Sequence, residues 1–314
     1  MRLSFATLAS LALATTACAR EADTATNNAE SAVVAGAAAA VSQAAAPAYD
    51  FPEEAWRDLD PENTLYIETT HGRIVVELAP EFAPGHVERM KTLARDQFYD
   101  FLIWHRVIED FMAQGGGSRA NPNHGTDLPN LQAEFTLARG PELTISELMQ
   151  RPVSPSIPQV GQAGFWNSFH AGTQPIAQAM ITATGQVQSW LLHCEGAAAM
   201  ARTNDPNSAG SQFYITRGDA EHLNATYTVW GRVRHGQDAV NAIEVGTLFQ
   251  DPGFTPDVIR SMRVEADIPE AERTNVQIVD SNHPSFNGYL DSLRDADGAL
   301  PDVCDIDIPT RIQD

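Results

Sequence analysis

The stretch "WHRVIEDFMAQGGG", residues 104–117, sets one arginine and one glutamine among apolar side chains. It reads as two short strands around the acidic turn Glu109-Asp110. Alternation along the first strand puts Arg106 on the face of Trp104 and Ile108, and Gln114 lies near the end of the second. An arginine on an apolar face has two uses. It forms a structural ion pair, here with Glu109 or Asp110, or it presents a fixed, permanently charged donor to something bound in front of it. Other chemistry has little to draw on. There is no His-Glu-x-x-His, no Cys-x-x-Cys, no Gly-x-Ser-x-Gly and no phosphate-binding glycine loop. The nine histidines are scattered, and His193 beside Cys194 reads as structural rather than as a metal ligand. No metal and no cofactor is expected.

The elements that must position these residues begin at Asn63. Leu65 and Ile67, then Ile74, Val76 and Leu78, alternate with polar residues around His71-Gly72, the pattern of a β-hairpin. Pro84 and Gly85 open a helix with Val87, Met90, Leu93 and Ala94 at helical spacing. Past the opening stretch, "AAAMA" (197–201), "QFYIT" (212–216) and "TVWGRV" (228–233) read as strands. Parity in the second puts Gln212 and Tyr214 on one face and Phe213 on the other. A second helix follows Gly236 with Ala239, Val240 and Ile243 inward, and "DVIRSMRVEA" (257–266) supplies a last strand. The fold predicted is mainly β: a closed eight-stranded antiparallel barrel capped by two helices, within residues 50–267.

Two parts fall outside that rhythm. Residues from about 140 to 192 are predicted as a long loop insertion with one short helix in "TISELMQRP", Thr144 being its N-cap and Pro152 following its end. Residues 268–314 give a small α/β extension: the strand "VQIVD" (276–280), a helix with Phe286, Leu290 and Leu293 on one face, then "VCDIDIP". Too short to fold alone, it is expected to pack on the barrel.

The N-terminal "MRLSFATLASLALATTAC" has one positive charge, an apolar run and then small residues, the form of a signal peptide over residues 1–18. Two outcomes stay open: lipidation of Cys18, which tethers the chain to a membrane, or plain cleavage near Ala17 or Ala19. Residues 19–49 carry no aromatic until Tyr49 and read as a flexible, Ala-rich linker. Twenty Lys and Arg against 41 Asp and Glu leave a net charge of −21, which repels a phosphate backbone, so no nucleic-acid partner is expected. Cys304 shares strand parity with Ile306 and Ile308, which suggests a buried thiol; an exported chain also permits a disulfide with Cys194.

Four blocks, "TLYIETTHGRIVVELAPEFAPGHVERMKTLARDQFYD", "WHRVIEDFMAQGGG", "AMARTNDPNSAGSQFYIT" and "HLNATYTVWGRV", resemble in content and order those of the cyclophilin-type peptidyl-prolyl cis-trans isomerases. The resemblance covers about residues 62–266 without the insertion, and the Met-Ala-Arg-Thr form is similar to the bacterial exported branch. It implies roles. Arg106 matches the catalytic arginine and Gln114 the glutamine that steadies it. Phe111, Met112, Tyr214 and Leu223 match the pocket for the proline ring, and Gln212 a polar substrate contact. His105 matches the signature histidine. Ala201 and Arg202 match a segment that meets substrate mainly through its backbone, and Tyr227 a position on the pocket rim. Two residues depart from the usual pattern. His222 stands where many members have Trp, so tight binding of cyclosporin-like macrocycles is not expected. Tyr214 stands where phenylalanine is usual and adds a hydroxyl.

The implied activity is isomerisation of X-Pro bonds in unfolded or partly folded exported proteins, in the periplasm, by a chain for which nothing demands more than a monomer. The residues suit that chemistry. Rotation about a peptide bond costs about 18–20 kcal/mol because resonance must break. In the twisted state the prolyl nitrogen regains a lone pair, and a fixed guanidinium can donate to it there but not in the planar ground state. The alternative is a binding module or holdase with little isomerase activity, in which the insertion does the recognition.

Overall fold

The computed structural model describes residues 49–313 apart from 123, 141–144 and 155–156, and for 146–154 and 157–160 the backbone alone. The expected leader, Cys18 and the linker up to residue 48 lie outside the described residues. No helix among the described residues is long and apolar enough to cross a membrane.

Among the described residues the main sheet has nine antiparallel strands. Their spatial order is Gly246–Thr247, Arg106–Ile108, Met112–Gly115, Phe213–Thr216, Ala197–Met200, Val229–His235, Arg73–Leu78, Thr64–Glu68 and Ser261–Val264. The two-residue edge strand Gly246–Thr247 was not read in the sequence. A separate pairing of Val258–Ile259 with Leu102–Ile103 brings the Ser261–Val264 end of this order round towards the Arg106 end. The hairpin at Gly72 and the strand at Phe213 stand where the periodicity put them, while the one strand expected in 257–266 is split into Val258–Ile259 and Ser261–Val264.

The sheet wraps a core in which the Phe213 ring lies 5.4 Å from Trp104 and 6.0 Å from Trp230. Two helices close on it. Helix α1 (Pro84–Arg95) buries Val87, Met90, Leu93 and Ala94, as its 3.6-residue spacing requires. Ala83 offers it no capping side chain. Glu134 does that work from a distance: its carboxylate accepts from the backbone N–H of Gly85 (2.9 Å) and His86 (3.0 Å) and meets His86 Nδ1 at 2.6 Å. The five-residue helix α2 (Gln237–Asn241) buries Ala239 and Val240, and Ile243 is buried just beyond it.

The insertion is not a loop. With Leu137–Arg139 just before it, it forms a second, five-stranded antiparallel sheet in the order Leu137–Arg139, Val187–Leu191, Phe169–Thr173, Ile157–Trp166 and Ser146–Ser154. The helix expected in "TISELMQRP" is therefore corrected: Ser146–Ser154 is a strand paired along Ile157–Trp166, and Thr144 lies outside the described residues. Pairing with the next strand of a hairpin overrode a local capping signal.

The extension contributes Val276–Val279 as the middle strand of a third sheet, between Trp56–Asp58 and Thr310–Ile312. Helix α3 (Pro284–Ser292) buries Phe286 and Leu290. Phe51, Phe165, Trp190, Leu192, Phe286 and Leu290 share one core, so the N-terminal segment, the insertion and the extension are packed as one body. Val276 and Ile278 also meet Tyr66 and Val75 of the main sheet. Of the two readings left open for Cys304, buried thiol or disulfide, the second holds. Residues 303–305 form a 3-10 turn rather than a strand, and Cys304 is disulfide-bonded to Cys194 across a separation of 110 residues.

Candidate active site

One cross-strand row organises the site. Tyr214 is paired with Gln114, Gln114 with Arg106, and Arg106 with Thr247. Directly paired residues share a face of the sheet, so these four side chains line one surface, opposite the core that holds Phe213 and Val107. The parity expected for Gln212, Phe213 and Tyr214 therefore holds. The shared face expected for Trp104, Arg106 and Ile108 does not. The ladder breaks at Trp104-His105, which sends Trp104 into the core while Arg106 and Ile108 face the other way. Glycines permit the abrupt finish of the next strand. Gly116 has φ +80°, and a Cβ on Gly117 would collide with the Pro122 carbonyl.

Arg106 donates from Nη1 to Gln114 Oε1 at 3.2 Å and lies 3.8 Å from Met112 Sδ. A guanidinium cannot accept, so the amide oxygen must face it. The Gln114 amide nitrogen is then turned to Gln212 Oε1, at 3.0 Å. The two glutamines form a chain that fixes the arginine. Glu109, one of its alternative ion-pair partners, is paired with Arg217 instead, at 3.3 Å. Among the described residues Arg106 has no carboxylate partner.

In front of it lies a groove of about 320 Å³ lined by Arg106, Phe111, Met112, Gln114, Ala201, Arg202, Tyr214, His222, Leu223 and Tyr227. Ten of the twelve residues singled out in the sequence thus line one groove. Gln212 lines an adjoining hollow that shares Gln114, Ala201 and Arg202. His105 is the exception. It is 4% exposed, behind the wall, where burial and the neighbouring Arg106 charge hold its pKa down. It is placed to support the wall rather than to meet a ligand. The Phe111 and His222 rings stand 5.4 Å apart, and Tyr214 and Tyr227 meet edge to face at 6.1 Å. The Arg202 guanidinium is committed: it donates to the Thr226 and Thr203 carbonyls and covers the Tyr227 ring at 4.2 Å.

The insertion backs this groove. Trp166, Phe169 and Leu191 pack in one cluster with Met112 and Tyr214. His193, which follows that sheet, reaches Tyr214 Oη at 3.0 Å. Sequence reasoning set His193 aside, and only the structure brings it and Asn224 behind the groove.

The family model described as "Cyclophilin type peptidyl-prolyl cis-trans isomerase/CLD" matches residues 64–264. The chain belongs to the cyclophilin-type peptidyl-prolyl isomerase family. A protein of Brucella suis biovar 1 named "Probable peptidyl-prolyl cis-trans isomerase" is 32% identical over 209 residues, covering 66% of this chain and 85% of that protein. The Streptomyces antibioticus "Peptidyl-prolyl cis-trans isomerase cyp18" is 33% identical over 215 residues, covering 64% of this chain and 98% of its own. The crystal structure of the cyclophilin AquaCyp293 from Hirschia baltica superposes with a TM-score of 0.71 at 32% identity, covering 84% of this chain and 98% of that one. That coverage extends well past the 64–264 span of the family match. This cyclophilin is accordingly a prolyl cis-trans isomerase, with a fold made mainly of strands and few helices.

Proposed function

We propose that this isomerase works by holding Arg106 as a donor to the prolyl nitrogen while the X-Pro bond is twisted. The observation that carries the reading is the Arg106 guanidinium, fixed by Gln114 at 3.2 Å and without a carboxylate partner among the described residues, in the wall of a groove that also presents Phe111, Met112, Tyr214 and Leu223. Phe111, Met112, Leu223 and Tyr214 receive the proline ring, and Ala201, Arg202, Gln212, His222 and Tyr227 border the flanking chain. Planar amide nitrogen is a poor acceptor and pyramidal nitrogen a good one, so the donation favours the transition state over both ground states. We read the ring-like order of pairings as the closed barrel of the family, which sets Arg106 and residues 201–227 on one wall.

The substrates proposed are unfolded or partly folded exported proteins, and the compartment is the periplasm. The leader-like first 18 residues support this, and so does the Cys194–Cys304 disulfide, which an oxidising compartment sustains. A lipid tether at Cys18 is the further part of the proposal. Labelling with a fatty acid tests it, and an unlabelled chain released with the periplasmic fraction would exclude it.

A protease-coupled assay on a short X-Pro peptide tests the mechanism. The wild type should accelerate isomerisation, and Arg106→Ala should lose about a hundredfold or more of kcat/KM. Equal rates in the two proteins would sink the arginine mechanism.

A further inference from the structure

We infer that His193 is a positioning residue for the proline pocket: by accepting the hydroxyl hydrogen of Tyr214 it keeps that hydroxyl out of the groove, so that a tyrosine serves as an apolar pocket wall. The inference rests on the proposed role of the Tyr214 groove.

The hydrogen bonds define the tautomer. Asn224 Oδ1 accepts from the His193 backbone N–H at 2.8 Å, which fixes this atom as the oxygen of the amide. His193 Nδ1 lies 3.2 Å from that same oxygen, so it carries the proton. Nε2 is left with its lone pair, and it faces Tyr214 Oη at 3.0 Å. Tyr214 must therefore be the donor. Its burial holds the phenol protonated, and burial also pushes His193 down to about 4, so the pair keeps these roles at neutral pH. His193 is 1% exposed and Tyr214 4% exposed. The two rings are nearly parallel, at 18°, with centroids 6.1 Å apart.

The arrangement answers a particular problem. A hydroxyl loose at the wall of a proline pocket would lose its water when the ring enters and find no partner on a pyrrolidine, which carries no donor or acceptor on its carbons. His193 gives that hydroxyl a permanent partner on the side away from substrate. The histidine comes from the end of the insertion, between Leu192 of the shared core and the disulfide at Cys194. It thus adds a hydrogen bond to the apolar backing that Trp166, Phe169 and Leu191 of the insertion already give the pocket.

A double-variant cycle tests the coupling in the protease-coupled assay. His193→Phe should raise KM about tenfold with kcat changed less than twofold in the wild-type background. In the Tyr214→Phe background the same substitution should change KM less than twofold, because no hydroxyl remains to be released. An equal loss in both backgrounds would overturn the inference and make His193 merely structural. Should His193→Phe fail to fold, the intact protein still decides: long-range proton–nitrogen NMR spectra at pH 7 should show His193 protonated on Nδ1 alone, and protonation on Nε2 would refute it. Failure of the underlying reading is distinguished by Arg106→Ala in the same assay. Undiminished activity there condemns the site, whereas a large loss with no His193–Tyr214 coupling condemns only this inference.

Discussion

Gln114 should matter to catalysis only through Arg106. Its amide accepts from the guanidinium at 3.2 Å and is itself held by Gln212 at 3.0 Å. Gln114→Ala removes that anchor and leaves a small side chain that makes neither bond. Two effects follow. The lost hydrogen bond to a charged group is worth about 1.5 kcal/mol. The freed arginine must also be re-ordered in the transition state, at up to about 1.5 kcal/mol of rotamer entropy, part of which Met112 continues to restrict. A combined effect of about 2 kcal/mol predicts a loss of about thirtyfold in kcat/KM, carried mainly by kcat. Gln212→Ala, one step further away, should cost about three- to fivefold, because it acts on Arg106 only through the Gln114 amide and meets the flanking chain at the edge of the groove. The decisive measurement is the double variant. In an Arg106→Ala background, Gln114→Ala should cost less than about twofold, since nothing remains for it to position. A further thirtyfold loss in that background would show that Gln114 meets substrate directly and would refute the chain from Gln212 to Arg106.

Three predictions concern stability. The disulfide closes a loop spanning 110 residues, which the chain-entropy account values at about 4–5 kcal/mol; Cys304→Ser should lower the urea midpoint by the equivalent of about 2–5 kcal/mol, and reductant should erase the difference. An unchanged midpoint would mean that the shared core alone holds the extension. Glu134→Ala strips the cap from α1, and a loss of about 1–2 kcal/mol should appear as a lower Tm in calorimetry. His193 sets an acid dependence. Burial lowers it to about 4 in the folded chain, against about 6.5 when unfolded, so between these values the unfolded chain binds more protons. Its contribution is fully present above about pH 6.5 and is lost as pH falls through 4, about 3 kcal/mol in all. Denaturation at a series of pH values should show this decline flattened in His193→Gln, and parallel curves for the two proteins would contradict it.

What was legible in the sequence was whatever repeats locally. The alternation at Leu65–Leu78 and the parity of Gln212, Phe213 and Tyr214 are short-range signals, and they located the strands that carry the groove. Arg106 was conspicuous because a charge interrupts an apolar strand. Four features were not legible, for one physical reason: each depends on partners outside its own segment. "TISELMQRP" carries a good capping box, yet the residues that decide its state are those of Ile157–Trp166. The parity of Cys304 pointed to a thiol, because nothing near it announces Cys194. The break at Trp104-His105 follows from the demand of the core for Trp104, which packs on Phe213, more than a hundred residues later. His193 was invisible as a site residue because its meaning lies in Tyr214 and Asn224, which come from two later segments.

The same long-range packing limits what the insertion can be. An arm that merely recruits a partner would be dispensable to the barrel, with its apolar residues turned to its own small core. Here Phe165, Trp190 and Leu192 complete a core with Phe51, Phe286 and Leu290, while Trp166, Phe169 and Leu191 cluster with Met112 and Tyr214 of the groove. Removing residues 141–189 would uncover both sides at once. Leu/Phe-sized side chains stabilise by about 1.5–3 kcal/mol each when buried, so the loss of Phe165, Trp166 and Phe169 alone, about 4.5–9 kcal/mol, is comparable with the whole stability expected of a domain. A deletion variant that remained folded with wild-type KM would contradict this packing. The informative perturbations of the insertion are therefore single side chains. Trp166→Ala thins the backing of Met112 and Tyr214 without breaking a strand pairing, and it should raise KM for an X-Pro peptide while leaving Gln114 and Arg106 coupled as before. If KM stays fixed although calorimetry shows the lost packing, the insertion supports the fold of the groove but not its selectivity.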